Sequence, residues 1–217
     1  MLKKEIIYRE MLTEALESKI LSFTQLALSR KFNFSLSTVN NALKPLEQIG
    51  AIEKRERSFQ LVDVHKLLTF WATTRNLSRD ILYSTRAEMP VQKIEGNMPA
   101  GAAFTAYSGY RFLFNEAPAD YGEAYVYADE KTLEEIKERF PETGNRMAET
   151  RKVSASYREA IWKLGTGKGP PNVFVLEKDA FMPERIAPKA QIYADLWNLK
   201  EWYAKDFLNA LERRLFG

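Results

Sequence analysis

Two adjoining stretches of sequence decide the fold of the first half of the chain. They are SLSTVNNALKPLEQIG, residues 35–50, and AIEKRERSFQLV, residues 51–62. In the first stretch, apolar residues recur three and four positions apart, which is typical of the buried face of a helix. The helix is expected to begin at the serine and threonine cluster of residues 35–38 and to end at Gly50. Pro45 is expected to kink it or displace its end, since proline lacks the N–H for an interior hydrogen bond. The apolar residues of this face are Val39, Ala42, Leu43, Leu46 and Ile49.

In the second stretch the hydrophobic period changes from 3.6 residues to 2, which predicts strands. Strands over residues 52–54 and 59–62 would flank a charged tip. Two further helices are predicted before residue 35. One spans residues 5–17, and the other begins at Ser22 or Thr24 and breaks at residues 31–33.

Three helices followed by a basic hairpin is the element order of a winged helix-turn-helix. The junction Leu43-x-x-Leu46-x-x-Ile49-Gly50-x-Ile52 resembles the way such domains join their third helix to the hairpin. The resemblance implies that the third helix enters the major groove of DNA and that the hairpin lies along a phosphate backbone.

Candidate DNA-binding side chains lie on the predicted third helix and on the hairpin. On the helix they are Ser35, Ser37, Thr38, Asn40, Asn41 and Lys44, and on the hairpin they are Lys54, Arg55 and Arg57. Hydroxyl and amide groups pair with base edges, and an asparagine binds adenine through two hydrogen bonds. The alternative is that the serines only cap the helix, that the asparagines form a solvated face, and that the arginines pair across the strands with Glu53 and Glu56.

Charge is distributed unevenly along the chain. Residues 1–87 hold 14 Lys and Arg against 9 Asp and Glu, a net charge of +5. Residues 88–217 hold 18 against 20, a net charge of −2. This asymmetry is what a nucleic-acid-binding module joined to a partner-binding domain would have.

Composition excludes several kinds of site. The chain has no cysteine, and His65 is its one histidine, so a disulfide framework, a thiolate zinc site and any site with two imidazoles are excluded. We expect no metal and no cofactor, with His65 at the surface or at a helix cap. No apolar stretch approaches the roughly 18 residues of a membrane span, and the charged N-terminus lacks the apolar core of an export signal. A soluble, cytoplasmic protein without membrane contact is expected.

The second half mixes helices with a few strands, which predicts an α+β fold. Prolines in residues 89–99 place a domain boundary near residue 88, with a winged-helix domain and linker helices over residues 1–87 and an α+β domain over residues 88–217. The linker helices are predicted at 64–76 and 77–87. Further helices are predicted at 100–114, 130–140, 189–199 and 201–216, and strands at 123–129 and 172–177. The GTGKGPP stretch, residues 165–171, is expected to be a flexible loop, because it lacks the spacing of a phosphate-binding loop.

One local pattern near the C-terminus resembles a known family. In IAPKAQIYADL, residues 186–196, the order Pro-x-x-Gln-x-Tyr-x-Asp-Leu is similar to a segment of AbiEi-type antitoxins, whose order of elements the chain shares. The resemblance implies an autorepressor that binds a double-stranded DNA operator and counteracts a nucleotidyltransferase-like toxin, with a homodimer possible in principle. Gln191, Tyr193 and Asp195 are then candidates for contact with the toxin. The alternative is that Gln191 and Asp195, four positions apart, bond within the protein and dock their helix.

Two other functions compete with this one. A nucleotidyltransferase needs two carboxylates that alternate on a strand and hold a divalent metal ion, whereas here Gly122 follows Asp120-Tyr121, and Asp129 and Glu130 are adjacent. We therefore expect that the protein is not an enzyme and has no catalytic residues. The second competing function is that of a ligand-responsive repressor, in which a group of aromatic side chains lines a pocket. The alternative is that these side chains belong to the hydrophobic core. Its members are Phe104, Tyr107, Tyr110, Phe112 and Phe114.

Overall fold

The chain passes from one compact unit into a second and then returns to the first. A computed structural model describes residues 1–141 and 169–217. The first unit comprises Met1–Leu77 and Ala187–Gly217, and the second comprises Ser78–Ile186. The fold is mixed α/β, with nine α-helices and two sheets in the described residues.

Three of the six helices of the first unit begin at side chains that cap them. Thr24, Ser35 and Asp63 each accept a hydrogen bond from a backbone N–H three residues later, at 3.0, 3.1 and 2.8 Å. Asn33 ends one helix in the left-handed conformation, at φ +53°. The helices are α1 (Lys3–Thr13, continued by a π-helical turn over Glu14–Ser18), α2 (Gln25–Phe32), α3 (Leu36–Gln48), α4 (Val64–Thr74), α8 (Lys189–Trp197) and α9 (Ala204–Phe216).

A three-stranded antiparallel sheet completes the first unit. Its strands are β1 (Ser22–Phe23), β2 (Ile52–Lys54) and β3 (Phe59–Leu61), in the order β1-β3-β2. The predicted hairpin is confirmed, because Ile52 pairs with Leu61 and Lys54 pairs with Phe59 across β2 and β3. The predicted third helix is also confirmed, and it continues through Pro45 to Gln48.

The core of the first unit is built from both ends of the chain. Helix α8 contacts α1, α4 and α9, and α1 contacts α3 and α4. The side chains buried by these contacts are Ile7, Met11, Leu12, Leu43, Leu46, Leu67, Leu68, Trp71, Ile192, Leu196, Phe207 and Leu211. The last 31 residues therefore belong structurally with the first 77.

The second unit is built on a four-stranded sheet in the order β4-β7-β6-β5. Strands β6 and β7 are parallel, and the other neighbouring pairs are antiparallel. The strands are β4 (Ile81–Thr85), β5 (Ala103–Thr105), β6 (Ala124–Ala128) and β7 (Val173–Glu177). The helices are α5 (Val91–Gly96), α6 (Ala106–Phe114) and α7 (Glu130–Arg139). Its core includes Tyr83, Ile94, Val126, Ile136, Val173 and Val175.

The compact units divide the chain differently from the predicted domains of residues 1–87 and 88–217. The segment 77–87 was predicted as helix, which is wrong, because after a short 3-10 turn (Leu77–Asp80) it forms β4 at the edge of the second sheet. Tyr83 and Thr85 are buried while Ser84 between them is half-buried, as the two-residue period of a strand requires. The helix predicted over 100–114 begins only at Ala106, after β5.

Two further predictions concern the rest of the chain. The strands predicted at 123–129 and 172–177 are confirmed as β6 and β7. The predicted loop over residues 165–171 lies mostly outside the described residues, which resume at Gly169. Within the described residues, no helix has both the length and the apolar character that crossing a membrane requires.

Candidate nucleic-acid interface

The start of α3 is fixed by two hydroxyl groups. The Oγ of Ser35 accepts a hydrogen bond from the Thr38 N–H at 3.1 Å and lies 2.8 Å from the Thr38 Oγ1. The two hydroxyls are thus engaged with each other, and that of Ser35 also with the helix backbone. Ser35 therefore has the capping role that the alternative interpretation gave to Ser35 and Ser37, and Thr38 supplies the capped N–H. Ser37 makes no capping hydrogen bond within the described residues.

The exposed side of α3 carries four polar side chains that have no such engagement. Ser37, Asn40, Asn41 and Lys44 lie three and four positions apart, so they share one side of the helix, which we call the α3 polar face. Ser37, Asn41 and Lys44 are exposed, and Asn40 is half-buried. Within residues 1–141 and 169–217, none of the four makes a side-chain hydrogen bond or an ion pair.

The opposite side of α3 is anchored in the core. Val39, Leu43 and Leu46 are fully buried there. The Tyr8 hydroxyl of α1 also donates a hydrogen bond to the Ala42 carbonyl at 2.9 Å. Burial, together with the nearby charge of Glu5, raises the pKa of Tyr8 to about 12, so this donor keeps its proton at neutral pH. The α3 polar face is therefore presented by a helix that is held from behind.

The three candidate cations of the hairpin differ in their surroundings. The Lys54 Nζ forms an ion pair with the Glu47 carboxylate of α3 at 2.5 Å. The Arg55 guanidinium donates a hydrogen bond to Gln60 across the strands. Arg57 is exposed and has no partner in the described part of the chain. Arg57 therefore has both its charge and its donors available to a phosphate group. Lys54 is already paired with a carboxylate, and Arg55 keeps its charge because its partner Gln60 is neutral.

The sequence prediction missed one exposed residue of this surface. Leu36, the first residue of α3, is 50 % exposed although it is apolar. It lies four positions before Asn40 and therefore borders the α3 polar face. That spacing is visible in the sequence and is the signal that could have identified it.

The candidate toxin contacts lie inside the first unit. Gln191, Tyr193 and Asp195 are 0, 2 and 0 % exposed. The Asp195 Oδ1 accepts hydrogen bonds from the Arg75 Nε at 2.7 Å and from the Gln191 Nε2 at 3.0 Å. The prediction of a partner-binding surface at these residues is therefore corrected: they dock α8, which is the alternative that the spacing of Gln191 and Asp195 had offered.

Arg75 connects α8 with α1 and α4, two of the helices against which α8 packs. It follows the last turn of α4, and its Nη1 donates a hydrogen bond to the Glu5 carboxylate of α1 at 2.6 Å. The Arg75 and Asp195 side chains have no exposed surface, and that of Glu5 is nearly as buried. One guanidinium between two carboxylates is the arrangement that buried charges require, because each charge has an oppositely charged, hydrogen-bonded partner.

The aromatic group of the second unit is divided between core and surface. Tyr107 and Tyr110 are fully buried, whereas Phe112 is exposed. A cleft of about 410 Å³ in this unit is lined by other residues, among them Arg86 and Tyr121. The positions of Tyr107 and Tyr110 agree with the interpretation of the group as core, and the competing interpretation, a pocket lined by all five aromatic residues, is not supported.

The carboxylates of the second unit are dispersed. Strand β6 has the sequence AYVYA and contains no carboxylate. Asp129 caps α7 by accepting a hydrogen bond from the Thr132 N–H at 2.8 Å, and this bond lowers the pKa of Asp129. Among the described residues, no group of three or more His, Asp or Glu side chains is placed to hold a metal ion.

Comparisons with protein-family models, with curated proteins and with solved structures found no match for this chain. A function is therefore supported by the chemistry of the α3 polar face, whose side chains have no partners within the described residues, whereas the polar cluster of α8 is buried and hydrogen-bonded.

Proposed function

We propose that the protein is a DNA-binding transcriptional regulator whose residues 1–62 form a winged helix-turn-helix. The observation that carries the proposal is the α3 polar face, which presents Ser37, Asn40 and Asn41 without partners in the described residues. In the free protein these groups bond to water, and a DNA base edge would replace that water with matching donors and acceptors.

The geometry of α3 favours insertion into a major groove. The groove is about 12 Å wide and admits one α-helix, and a recognition helix contacts base edges with its N-terminal residues. The α3 polar face begins at the second residue of its helix. Its back is fixed by the buried apolar residues and by the Tyr8 bond, so little ordering of the helix would be needed on binding.

The hairpin would supply contacts of another kind. Arg57 at its tip and Lys44 on α3 are cations without partners in the part of the chain that the structure describes. Phosphate contacts of this type add affinity and orient the protein but carry no sequence information.

Autorepression within a toxin–antitoxin pair stays a prediction that rests on the resemblance to AbiEi-type antitoxins. Of the residues that carry the resemblance, Gln191, Tyr193, Asp195 and Leu196 are buried and Pro188 is half-buried, so a toxin would have to contact mainly another surface of this protein. Co-expression with a nucleotidyltransferase-like toxin encoded by a neighbouring gene tests it, because growth would be rescued only if the protein counteracts the toxin. A ligand-responsive repressor would instead be stabilised by a small molecule in a thermal-shift assay.

DNA reading by α3 is tested by competition binding. Duplexes selected by the wild-type protein from a randomised pool serve as specific DNA, and the unselected pool serves as competitor. Changing Asn40 and Asn41 together to Ala should lower the discrimination between the two by about 1 to 3 kcal/mol for each asparagine that binds a base through two hydrogen bonds.

The matched control is Asn209→Ala, which removes an exposed amide from α9. It should bind like the wild type. Full discrimination by the Asn40 and Asn41 double variant would show that α3 does not read the bases.

A further inference from the structure

Leu36 is an apolar side chain at the edge of a polar surface. It is 50 % exposed, while the apolar residues one and two turns further along α3, Val39 and Leu43, are fully buried. Because Leu36 and Asn40 are four positions apart, their side chains are neighbours on the surface of the helix. Packing in the core therefore does not bury the whole Leu36 side chain, and its exposed half lies beside the Asn40 amide.

The backbone that carries Leu36 is held on both sides. Ser35 before it caps the helix, and Thr38 after it is bonded to Ser35 through both its N–H and its hydroxyl. Leu36 is thus presented by an ordered helix turn, with few side-chain torsions left to fix on binding.

The major groove offers one prominent apolar group to such a side chain. That group is the C5-methyl of thymine, whereas the other groups on base edges there are donors and acceptors. Asparagine pairs best with adenine, the partner of thymine. Arginine, lysine, aspartate and glutamate favour guanine or cytosine, and none of them occurs in the N-terminal residues 36–41 of α3. Lys44, the one lysine of the α3 polar face, lies further along the helix and is proposed above to contact phosphate.

We infer that α3 reads A·T base pairs, with Leu36 in contact with the C5-methyl of one thymine. This inference rests on the proposed function, since it specifies the DNA sequence that the same surface would prefer. It assigns a specificity-determining role to a residue that makes no hydrogen bond to the bases.

Two measurements with the full chain test the inference. First, duplexes selected from a randomised pool should share a core of A·T pairs. Second, each thymine of a selected duplex is replaced in turn by deoxyuridine, which removes the methyl group and leaves base pairing unchanged. At one position of the selected site, the wild-type protein should bind the deoxyuridine duplex about fourfold more weakly, as burial of one methyl group implies.

The variants locate that effect on Leu36. Leu36→Ala should bind the thymine and deoxyuridine duplexes equally, and Leu36→Met should keep the preference for thymine because it keeps an apolar side chain. Leu82→Ala is the control, since Leu82 is 39 % exposed in β4 of the other unit and should leave the preference unchanged. Melting curves of all variants verify that they are folded.

The possible failures are distinguishable. If the wild-type protein binds no duplex, the proposed function fails and the inference fails with it. A selected core of G·C pairs, an absence of any position that is sensitive to the methyl group, or an unchanged preference in a folded Leu36→Ala variant would overturn the inference alone. In those cases sequence-preferring binding would still support the proposed function.

Discussion

Helices α3 and α8 carry similar polar side chains at similar spacing, yet their environments are opposite. On α3, Ser37 and Asn41, four positions apart, have no side-chain partner in the described residues. On α8, Gln191 and Asp195 are bonded to each other and Asp195 also to Arg75. A polar helix face therefore indicates a binding surface only where its side chains have no hydrogen-bond partners within the protein itself.

The partners of α8 come from distant parts of the sequence. Arg75 is 120 positions before Asp195, and Glu5 is 70 positions before Arg75. The polar groups of α8 thus stabilise the first unit from inside, and those of α3 remain available to a ligand.

The largest effect is expected when α8 is separated from the helices that it contacts. A fragment of residues 88–217 lacks α1, α4 and β4, so α8 and α9 should lose their fixed structure. A fragment of residues 78–186 keeps all four strands of the second sheet and should unfold cooperatively. Circular dichroism and amide hydrogen exchange compare the two. Protected amides over residues 189–197 in the longer fragment would contradict the assignment of α8 to the first unit.

Removal of one carboxylate from the buried cluster should have the next largest effect. Asp195→Ala leaves the Arg75 guanidinium buried with one of its two carboxylates missing, and should lower the free energy of unfolding by about 3 to 5 kcal/mol. Denaturant titration measures this. Asp206→Ala, which removes an exposed carboxylate in the first turn of α9, should cost less than about 1 kcal/mol. If the two variants were equally stable, Asp195 would behave as a surface residue.

Two serines in the first turn of α3 allow an engaged and an unengaged polar side chain to be compared directly. Ser35 caps the helix, so Ser35→Ala should lower the free energy of unfolding by about 1 kcal/mol. Ser37 has no partner in the described residues, so Ser37→Ala should change stability by less than about 0.5 kcal/mol and should weaken specific DNA binding. Thermal melting and competition binding are run on both variants. A larger loss of stability in Ser37→Ala would mean that the α3 polar face has a structural role.

The smallest expected effect separates free from paired cations on the hairpin. Arg57→Ala should flatten the dependence of log K on log salt by about 0.9, the value for one phosphate contact. Lys54→Ala should change the slope less, because Lys54 is already paired with Glu47. Binding isotherms at salt concentrations from about 50 to 200 mM give the slopes. Equal changes in the two variants would show that the Glu47 pair opens on DNA.

Local patterns in the sequence predicted the parts of the fold that depend on near neighbours. The cap at Ser35, the buried face of α3 and the pairing of residues 52–54 with 59–61 each extend over a few residues. The bond between Gln191 and Asp195 was offered for the same reason, since one helix turn separates them.

Other parts depend on residues that are far apart in the chain. Strand β4 has only five residues, and it pairs with β7 about ninety positions later, so its short alternation was mistaken for helix. The ion pair of Arg75 with Asp195 has no local signature, and without it α8 was assigned to the wrong half of the chain. The α3 polar face was predicted as a cluster, but which hydroxyls are engaged in capping required the coordinates of Ser35 and Thr38.

The return of the chain to its first unit has a consequence for biosynthesis. Helices α8 and α9 leave the ribosome after the whole of residues 78–186. At about 5 to 20 residues per second, the first unit waits roughly 5 to 20 s for the helices that complete its core. Until then Arg75 lacks Asp195, and the apolar surfaces of α1 and α4 lack their cover. A nascent chain that stops before residue 187 would therefore contain α3 without the complete core of the first unit. A stable α3 surface thus depends on translation of α8 and α9.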